Sequence, residues 1–447
     1  NENHGFSERH ENFRRRISCA GKRLNMRTAE RNLIVTELLL KVYDGAYSSI
    51  ELNKALNALR DERDKAYVSR LFYGVLSKNV QLDYILSVLA PKKPKPKVAL
   101  VIKTGIYMLR YMDEPDYAVI DTQTELVKKL GKKELAGFVN AVLRKSNDVK
   151  IPITTKDKAF ETSVNFSCPL WITAKLIAQY GLDFTRAFLG AILTDKTHVR
   201  INTDKISEED FKAKLSYFNE TPCGLFADYA ELKKIDSSLY TFQSLASGLA
   251  VKYYAAGLET GAKVLDLCAA PGGKSVYMAQ LMKAEVTACD LYPHRVELIR
   301  SYARRMGVNL TAMQNDATKY RPEFFEKFDC IICDVPCSGL GVMFSKPDVT
   351  FNRSEKDISA LNDIQYAILS QAAKYVKKGG FLNYSTCTVL REENEDIVKR
   401  FLSGQSDFSL VCAEADGVKA DEDGFVRLFP HTHGCDGFFV AKLRRDF

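Results

Sequence analysis

Val264-Leu-Asp-Leu-Cys-Ala-Ala-Pro-Gly-Gly-Lys-Ser275 decides how the second half of the chain is read. An apolar strand runs directly into a Gly-Gly turn and a helix, and glycine lets backbone approach a ligand closely there. Two phosphate-binding readings fail on spacing. A P-loop needs Gly-x-x-x-x-Gly-Lys-[Ser/Thr]; Gly273-Lys274-Ser275 fits its end, but Cys268 stands where the first glycine belongs. The dinucleotide pattern Gly-x-Gly-x-x-Gly is absent. What remains is a nucleoside ligand with no pyrophosphate to hold.

Outward from this turn the pattern alternates. Strands are predicted over 263–268, 285–290, 310–316, 328–335 and 380–386, with helices over 274–282, 294–306, 358–377 and 393–402. A last strand, 438–444, suits an antiparallel edge. Alternation of this kind predicts a parallel, doubly wound α/β sheet of Rossmann-like form. Such sheets bind ligands at the carboxyl edge, where Asp290, 18 positions after Gly272, is placed for ribose hydroxyls and Asp316 for an adenine amino group.

Two further strings end at the same edge. Asp329-Cys-Ile-Ile-Cys-Asp-Val-Pro-Cys-Ser-Gly-Leu-Gly341 delivers Asp334 and Cys337, and a carboxylate there can accept from the N4 amine of cytosine. Gly379-Gly-Phe-Leu-Asn-Tyr-Ser-Thr-Cys-Thr388 delivers Cys387, ahead of the acid-rich Arg391-Glu-Glu-Asn-Glu395. Two cysteines at neighbouring strand ends suit a nucleophile and a helper, and the residue types alone leave open which is which. Thiols suit one chemistry well. C5 of cytosine is too weakly nucleophilic to take a methyl group directly, but a thiolate adding to C6 pushes electron density onto C5. A free thiol titrates near ~8.5, so positive charge is needed nearby, and Lys274 and Arg391 are the candidates. Cys330 and Cys333 form a Cys-x-x-Cys inside a strand with no second such pair, so no metal site is expected.

The N-terminal part has another texture. Apolar residues recur at helical spacing from residue 29 to about 145, broken by Pro91-Lys-Lys-Pro-Lys-Pro-Lys97, which reads as a basic loop. Residues 1–150 hold 28 Lys and Arg against 18 Asp and Glu, whereas the rest hold 36 against 38, so the excess positive charge lies entirely in this third and favours a polyanion such as nucleic acid. The 447 residues predict two to three domains at roughly 100–200 residues each. No apolar run approaches the ~18–20 residues of a membrane span. Eleven cysteines, an odd count, with no apolar export signal over 1–30 suggest free thiols in a reducing cytoplasm.

Three strings in order, Ala269-Ala-Pro-Gly-Gly-Lys274, Asp334-Val-Pro-Cys-Ser-Gly-Leu-Gly341 and Ser385-Thr-Cys-Thr388 with Glu392-Glu-Asn-Glu395, resemble the S-adenosylmethionine-dependent RNA cytosine-5 methyltransferases. Leu71-Phe-Tyr-Gly-Val-Leu76 and Gly137-Phe-Val-Asn-Ala-Val-Leu-Arg144 resemble the NusB-type RNA-binding domain. The pairing, with Arg427-Leu-Phe-Pro430 and His433-Gly-Cys-Asp-Gly-Phe-Phe439, is similar to the bacterial small-subunit ribosomal RNA methyltransferase B family (Sun or Fmu) from about residue 29 to 447. Val335, Cys168, Ser244 and Phe344-Ser-Lys346 depart from its usual pattern.

Residues 1–28, lacking sustained hydrophobic periodicity, are expected to form a mobile tail, and the polar, weakly periodic stretch 151–168 a linker; with the resemblance, the rest divides into an all-α NusB-like domain (29–150), a small α+β RNA-binding subdomain (169–245) and a Rossmann-like catalytic domain (246–447). The resemblance makes Cys268, Ala269, Ala270, Pro271, Gly272, Gly273 and Lys274 the adenosylmethionine loop, with Asp290 and Arg295 on the ribose side and Asp316 on the adenine side. Asp334 falls at the methyl donor and orients the target base, Cys387 is the nucleophile and Cys337 assists product release. The expected product is 5-methylcytosine in 16S ribosomal RNA, with an unassembled or partly assembled small subunit as partner. A cytoplasmic monomer with no membrane contact is expected. Methylation of transfer RNA and a non-catalytic RNA-binding assembly factor are the alternatives.

Overall fold

The computed structural model describes residues 26–446, so most of the 1–28 tail lies outside the described residues. The chain divides into two compact units, one reaching to Leu189 and including Lys346–Asn352, the other comprising Gly190–Ser345 and the chain from Arg353.

The first unit is built from helices α1 (Thr28–Tyr43), α2 (Ser48–Ala58), α3 (Glu62–Ser77), α4 (Asn79–Leu89), α5 (Pro96–Tyr111), α6 (Asp116–Lys129) and α7 (Ala136–Lys145), followed by α8 (Lys158–Phe166), α9 (Leu170–Tyr180) and α10 (Leu182–Leu189). Their apolar stripes meet in one core in which Leu38, Phe72, Val101, Ile102, Val119 and Val139 are fully buried. Gly74 sits where α3 crosses Tyr107 of α5, and a Cβ there would lie 2.1 Å from the tyrosine ring. The basic loop is shorter than predicted: α5 already starts at Pro96, because proline has the backbone angle of a first helical turn and no N–H to lose. The stretch read as a linker contains α8, whose start is capped by the Asp157 carboxylate accepting from the Phe160 N–H at 2.9 Å. Segment Lys346–Asn352 packs with this unit: Asp348 accepts from the Ser48 N–H at 3.1 Å, and Phe351 lies 5.5 Å from the Tyr43 ring.

The second unit opens with an antiparallel sheet of β1 (Thr197–Ile201), β2 (Phe218–Thr221), β3 (Gly224–Ala227) and β4 (Tyr240–Phe242), in the order β2-β3-β1-β4. After α11 (Leu245–Ala255) come β5 (Lys263–Asp266), α12 (Gly273–Met282), β6 (Glu285–Asp290), α13 (Pro293–Met306), β7 (Thr311–Gln314), β8 (Phe328–Asp334), α14 (Glu355–Ala372), β9 (Val376–Thr386), α15 (Glu395–Gly404), β10 (Phe408–Leu410), β11 (Glu414–Ala415), β12 (Val418–Lys419), β13 (Phe425–Leu428) and β14 (Phe438–Arg445). The main sheet runs β10-β14-β9-β8-β5-β6-β7, with β5 to β9 parallel and β13 also paired to β14. The central strands β5 and β8 are buried on both faces, which explains their near-continuous apolar runs, whereas β7 is a half-exposed edge. On β8, Cys330 and Ile332 enter the core on one side and Ile331 and Cys333 the core on the other.

Two strand expectations change. β14 is not an edge, because β9 pairs along one side and β10 and β13 along the other. It even buries Lys442, whose ammonium donates to the carbonyls of Tyr254 at 2.7 Å and Tyr253 at 3.2 Å at the end of α11. The predicted 310–316 strand ends at Gln314, paired with Asp290, so Asp316 lies in the turn beyond it.

Candidate active site

The winding of the sheet reverses at β5, which pairs with β6 on one side and β8 on the other, and this opens a crevice outside the carboxyl ends. Asp266 ends β5 and is 1% exposed. The Ser275 hydroxyl donates to its Oδ2 at 2.6 Å, while Oδ1 finds no donor among the described residues. Burial pushes this carboxyl up to about 7, against the Ser275 hydrogen bond. Gly272 then turns the chain at φ +111°, a conformation favouring glycine, with the Ile299 backbone only 3.3 Å from where a Cβ would lie.

Asp290, at the end of β6 and 2% exposed, accepts from the backbone N–H groups of Ala270 and Tyr292, each at 3.3 Å. Arg295 reaches the same carboxylate at 3.5 Å and donates to the Ala270 carbonyl at 3.4 Å. Ala270, Asp290 and Arg295 therefore meet at one side of the turn. Asp316 is held by its own turn, accepting from the Thr318 hydroxyl at 2.6 Å and N–H at 3.1 Å, and these bonds lower its carboxyl against modest desolvation.

On the other side, Lys274 forms an ion pair with Asp334 at 2.7 Å. Asp334 also accepts from Ser385 at 3.2 Å, and Ser385 accepts from the buried Tyr254 hydroxyl at 2.6 Å. Burial opposes the charge on Lys274, but Asp334, Asp266 and Cys387 together hold the ammonium above its ordinary range. Beside this pair, Cys337 Sγ lies 3.3 Å from Cys387 Sγ. The hydrogen bond to Cys387, then burial, push the Cys337 thiol well above its usual range, so it stays protonated. The two thiol loops are laced together by backbone: Gly341 N–H donates to the Cys387 carbonyl at 2.9 Å and Gly437 N–H to the Gly341 carbonyl at 2.8 Å. No Cβ fits at Gly341, since it would lie 2.2 Å from the Gly437 oxygen.

Of the residues predicted from sequence, Lys274, Asp334, Cys337 and Cys387 are brought together, as are Ala270, Asp290 and Arg295. Gly272 and Gly273 start α12 between these groups, with Ala269 and Pro271 in the preceding turn. Cys268 is half-buried and packs against the core, and burial raises its thiol. Arg391 is exposed and opens the helical turn Arg391–Glu393. Cys330 and Cys333 point to opposite faces of β8 and cannot share a ligand; among the described residues no group of three or more His, Cys, Asp or Glu could hold a metal ion. Sequence reasoning passes over Asp266, Ser338, Ser385, Glu393 and Asn394. An acid at the end of an apolar run is the signal for the first, and the acid-rich string after Cys387 the signal for the last two.

Residues 255–444 match the family described as 16S rRNA methyltransferase RsmB/F, and residues 29–148 match the NusB family. The chain is similar to the crystal structure of PH0851, with a TM-score of 0.77 and 22% identity over 93% of this chain and 98% of that one. It is also similar to NSun6 from Pyrococcus horikoshii, solved with SFG, with a TM-score of 0.53 and 23% identity over 61% and 97% of the two chains. A helical NusB region followed by a methyltransferase domain on a central parallel sheet defines the class: a methyltransferase whose cofactor is S-adenosylmethionine. The probable ribosomal RNA small subunit methyltransferase B of Bacillus subtilis is 32% identical over 94% of this chain and 99% of its own length. The chain belongs to the ribosomal RNA small subunit methyltransferase B family.

Proposed function

We propose that the chain methylates C5 of a cytosine in 16S ribosomal RNA through a transient bond between Cys387 Sγ and C6. The observation that carries this reading is the pair of thiols 3.3 Å apart beside the Lys274–Asp334 ion pair, at the carboxyl edge of the parallel sheet. S-adenosylmethionine, when bound, supplies an electrophilic methyl group. The Ala269–Gly273 turn, Asp290 and Arg295 are the residues to hold its nucleoside part, and the donorless Oδ1 of Asp266 suits the ammonium of its amino-acid part. Asp316 lies beyond β7 for the adenine.

Lys274 supplies positive charge that favours the thiolate of Cys387. The thiolate attacks C6, density rises at C5, and after methyl transfer the C5 proton passes to solvent water, its electron pair re-forms the C5=C6 bond and the C6–S bond breaks to return the thiolate. Cys337, kept as a thiol in contact with Cys387, assists that last step. Asp334 accepts from the N4 amine and orients the base, which must be displaced from its stack to reach the crevice. The NusB region and the small sheet of β1–β4 recruit the RNA, consistent with the positive charge concentrated in residues 1–150.

Bisulfite sequencing of 16S ribosomal RNA from cells with and without the gene tests substrate and product together. One cytosine is expected to lose protection in the deletion and to regain it with the wild-type gene, but not with Cys387→Ser. Unchanged 16S cytosines overturn the substrate, and transfer RNA is then the acceptor to assay. A covalent RNA–protein band with Cys337→Ala is expected on a denaturing gel; the same band with Cys387→Ser instead reverses the two thiol roles.

A further inference from the structure

The acid-rich string after Cys387 places two neighbouring side chains between the thiol loops, both almost fully buried: Glu393 at 0% and Asn394 at 3% exposure. The Glu393 carboxylate accepts from the Ser338 N–H at 2.8 Å, the Ser338 hydroxyl at 2.5 Å and Gln365 Nε2 at 3.0 Å. Gln365 Nε2 also donates to the Pro336 carbonyl at 3.0 Å. Both residues flanking Cys337 are thereby tied to one carboxylate. Asn394 does the same for Cys387: its Oδ1 accepts from the Thr386 hydroxyl at 2.5 Å, and its Nδ2 donates to the Thr388 carbonyl at 3.1 Å. The Tyr384 hydroxyl, donating to the Glu393 carbonyl at 2.5 Å, anchors the dipeptide to β9.

We infer that Glu393 and Asn394 are positioning residues with separate duties, Glu393 holding the release thiol Cys337 and Asn394 the attacking thiol Cys387. Neither reaches the substrate; each acts mainly through the residues on either side of its cysteine, and the two clamps meet where the Ser338 hydroxyl lies 2.8 Å from the Thr388 hydroxyl. This rests on the covalent mechanism proposed above. A buried carboxylate with three donors and a buried amide using both ends have little freedom to move, which is what fixing the two sulfurs at contact distance requires. A purely structural role gives both residues the same consequence when altered. Separate duties give opposite ones.

Single-turnover methylation of 16S ribosomal RNA with methyl-labelled S-adenosylmethionine, resolved on denaturing gels, distinguishes them. Glu393→Gln, which keeps the side-chain shape, is expected to slow turnover roughly 10–100-fold while the covalent RNA–protein complex forms at close to the wild-type rate and accumulates. Asn394→Ala is expected to slow complex formation and turnover by the same factor, with no accumulation. Ser338→Ala removes the hydroxyl contacts to Glu393 and to Thr388, and Thr386→Val the contact to Asn394; the two should repeat the two patterns in milder form, so a folding failure in either first variant leaves the test intact. Identical behaviour of the Glu393 and Asn394 variants, or lost turnover without accumulation in Glu393→Gln, overturns the assignment. Cys337→Ala runs alongside: if it accumulates complex and Glu393→Gln does not, only the clamp falls, and if neither does, the covalent mechanism falls with it.

Discussion

Strands β8 and β9 carry cysteines and polar groups in two settings, strand interior and strand end. Within β8, Cys330 and Cys333 are buried in opposite cores, and burial pushes Cys330 up to about 12. Past the ends of the same two strands, Cys337 and Cys387 touch across 3.3 Å beside a lysine. The residue type is the same, and the difference lies in where the pleat stops. An interior thiol has backbone ladders around it and mostly apolar neighbours above and below, with the Asn383 amide donating to Cys330 at 3.2 Å, so it behaves largely as a small hydrophobe. At the carboxyl edge the ladder ends, the loops are free to carry hydroxyls and charges, and a thiol can be activated.

The sharpest way to break this contrast is to remove one thiol from each setting. Cys387→Ser should cut methyl transfer by more than about a thousandfold, since the covalent route is lost as a unit, measured with labelled S-adenosylmethionine and 16S ribosomal RNA. Next in size is Lys274→Met. It removes the positive charge near Cys387 and leaves Asp334 without its ion-pair partner, so activity should fall roughly 10–100-fold and the thermal midpoint should drop as well. An unchanged rate would mean that the thiolate is favoured by some other group. Cys333→Ser probes the interior setting by placing a hydroxyl where apolar neighbours surround it. A loss of about 1–3 kcal/mol in urea unfolding is expected, with turnover per folded molecule kept; a turnover loss comparable to that of Cys387→Ser would erase the distinction.

The strand ends are legible in the sequence because the chemistry there is written in contiguous strings. A strand, a Pro-Gly-Gly turn and a lysine sit within Val264–Ser275, Cys387 directly follows its strand and Cys337 comes three residues after its own, so periodicity and turn chemistry are enough to bring them to one edge. What escapes is set by contacts between distant residues. Glu393 bonds Ser338 across the sheet edge, and nothing local distinguishes it from Glu392. Lys442 is buried because α11 ends over it, leaving carbonyls to receive its ammonium, a contact that no local pattern announces. The short β10 and β13 have too few residues to announce themselves, so β14 reads as an edge. Asp316 has the composition of a ligand and the spacing of a turn, and the Thr318 bonds show that it at least performs the second task.

Asp266 stands on the border between the two settings and yields the smallest but most specific prediction. It closes β5, buried like an interior residue, yet it is an acid with one satisfied oxygen and one without a donor among the described residues. Burial lifts its carboxyl from 3.8 to about 7 in the folded chain. The folded state therefore holds this proton where the unfolded chain has released it. The stabilisation is fully present below the unfolded value and is lost as pH rises through about 7, by at most about 1.4 kcal/mol per pH unit between those limits. An amide at this position carries no proton to lose, so the stability of Asp266→Asn relative to wild type should rise steadily from about pH 5 to about pH 7 and then level off. Urea unfolding of the cofactor-free proteins at several pH values measures this difference directly. A difference that stays flat with pH would show that the carboxylate is already ionised at low cost, and Asp266 would then belong with the solvated acids of the edge rather than with the buried residues of the strand.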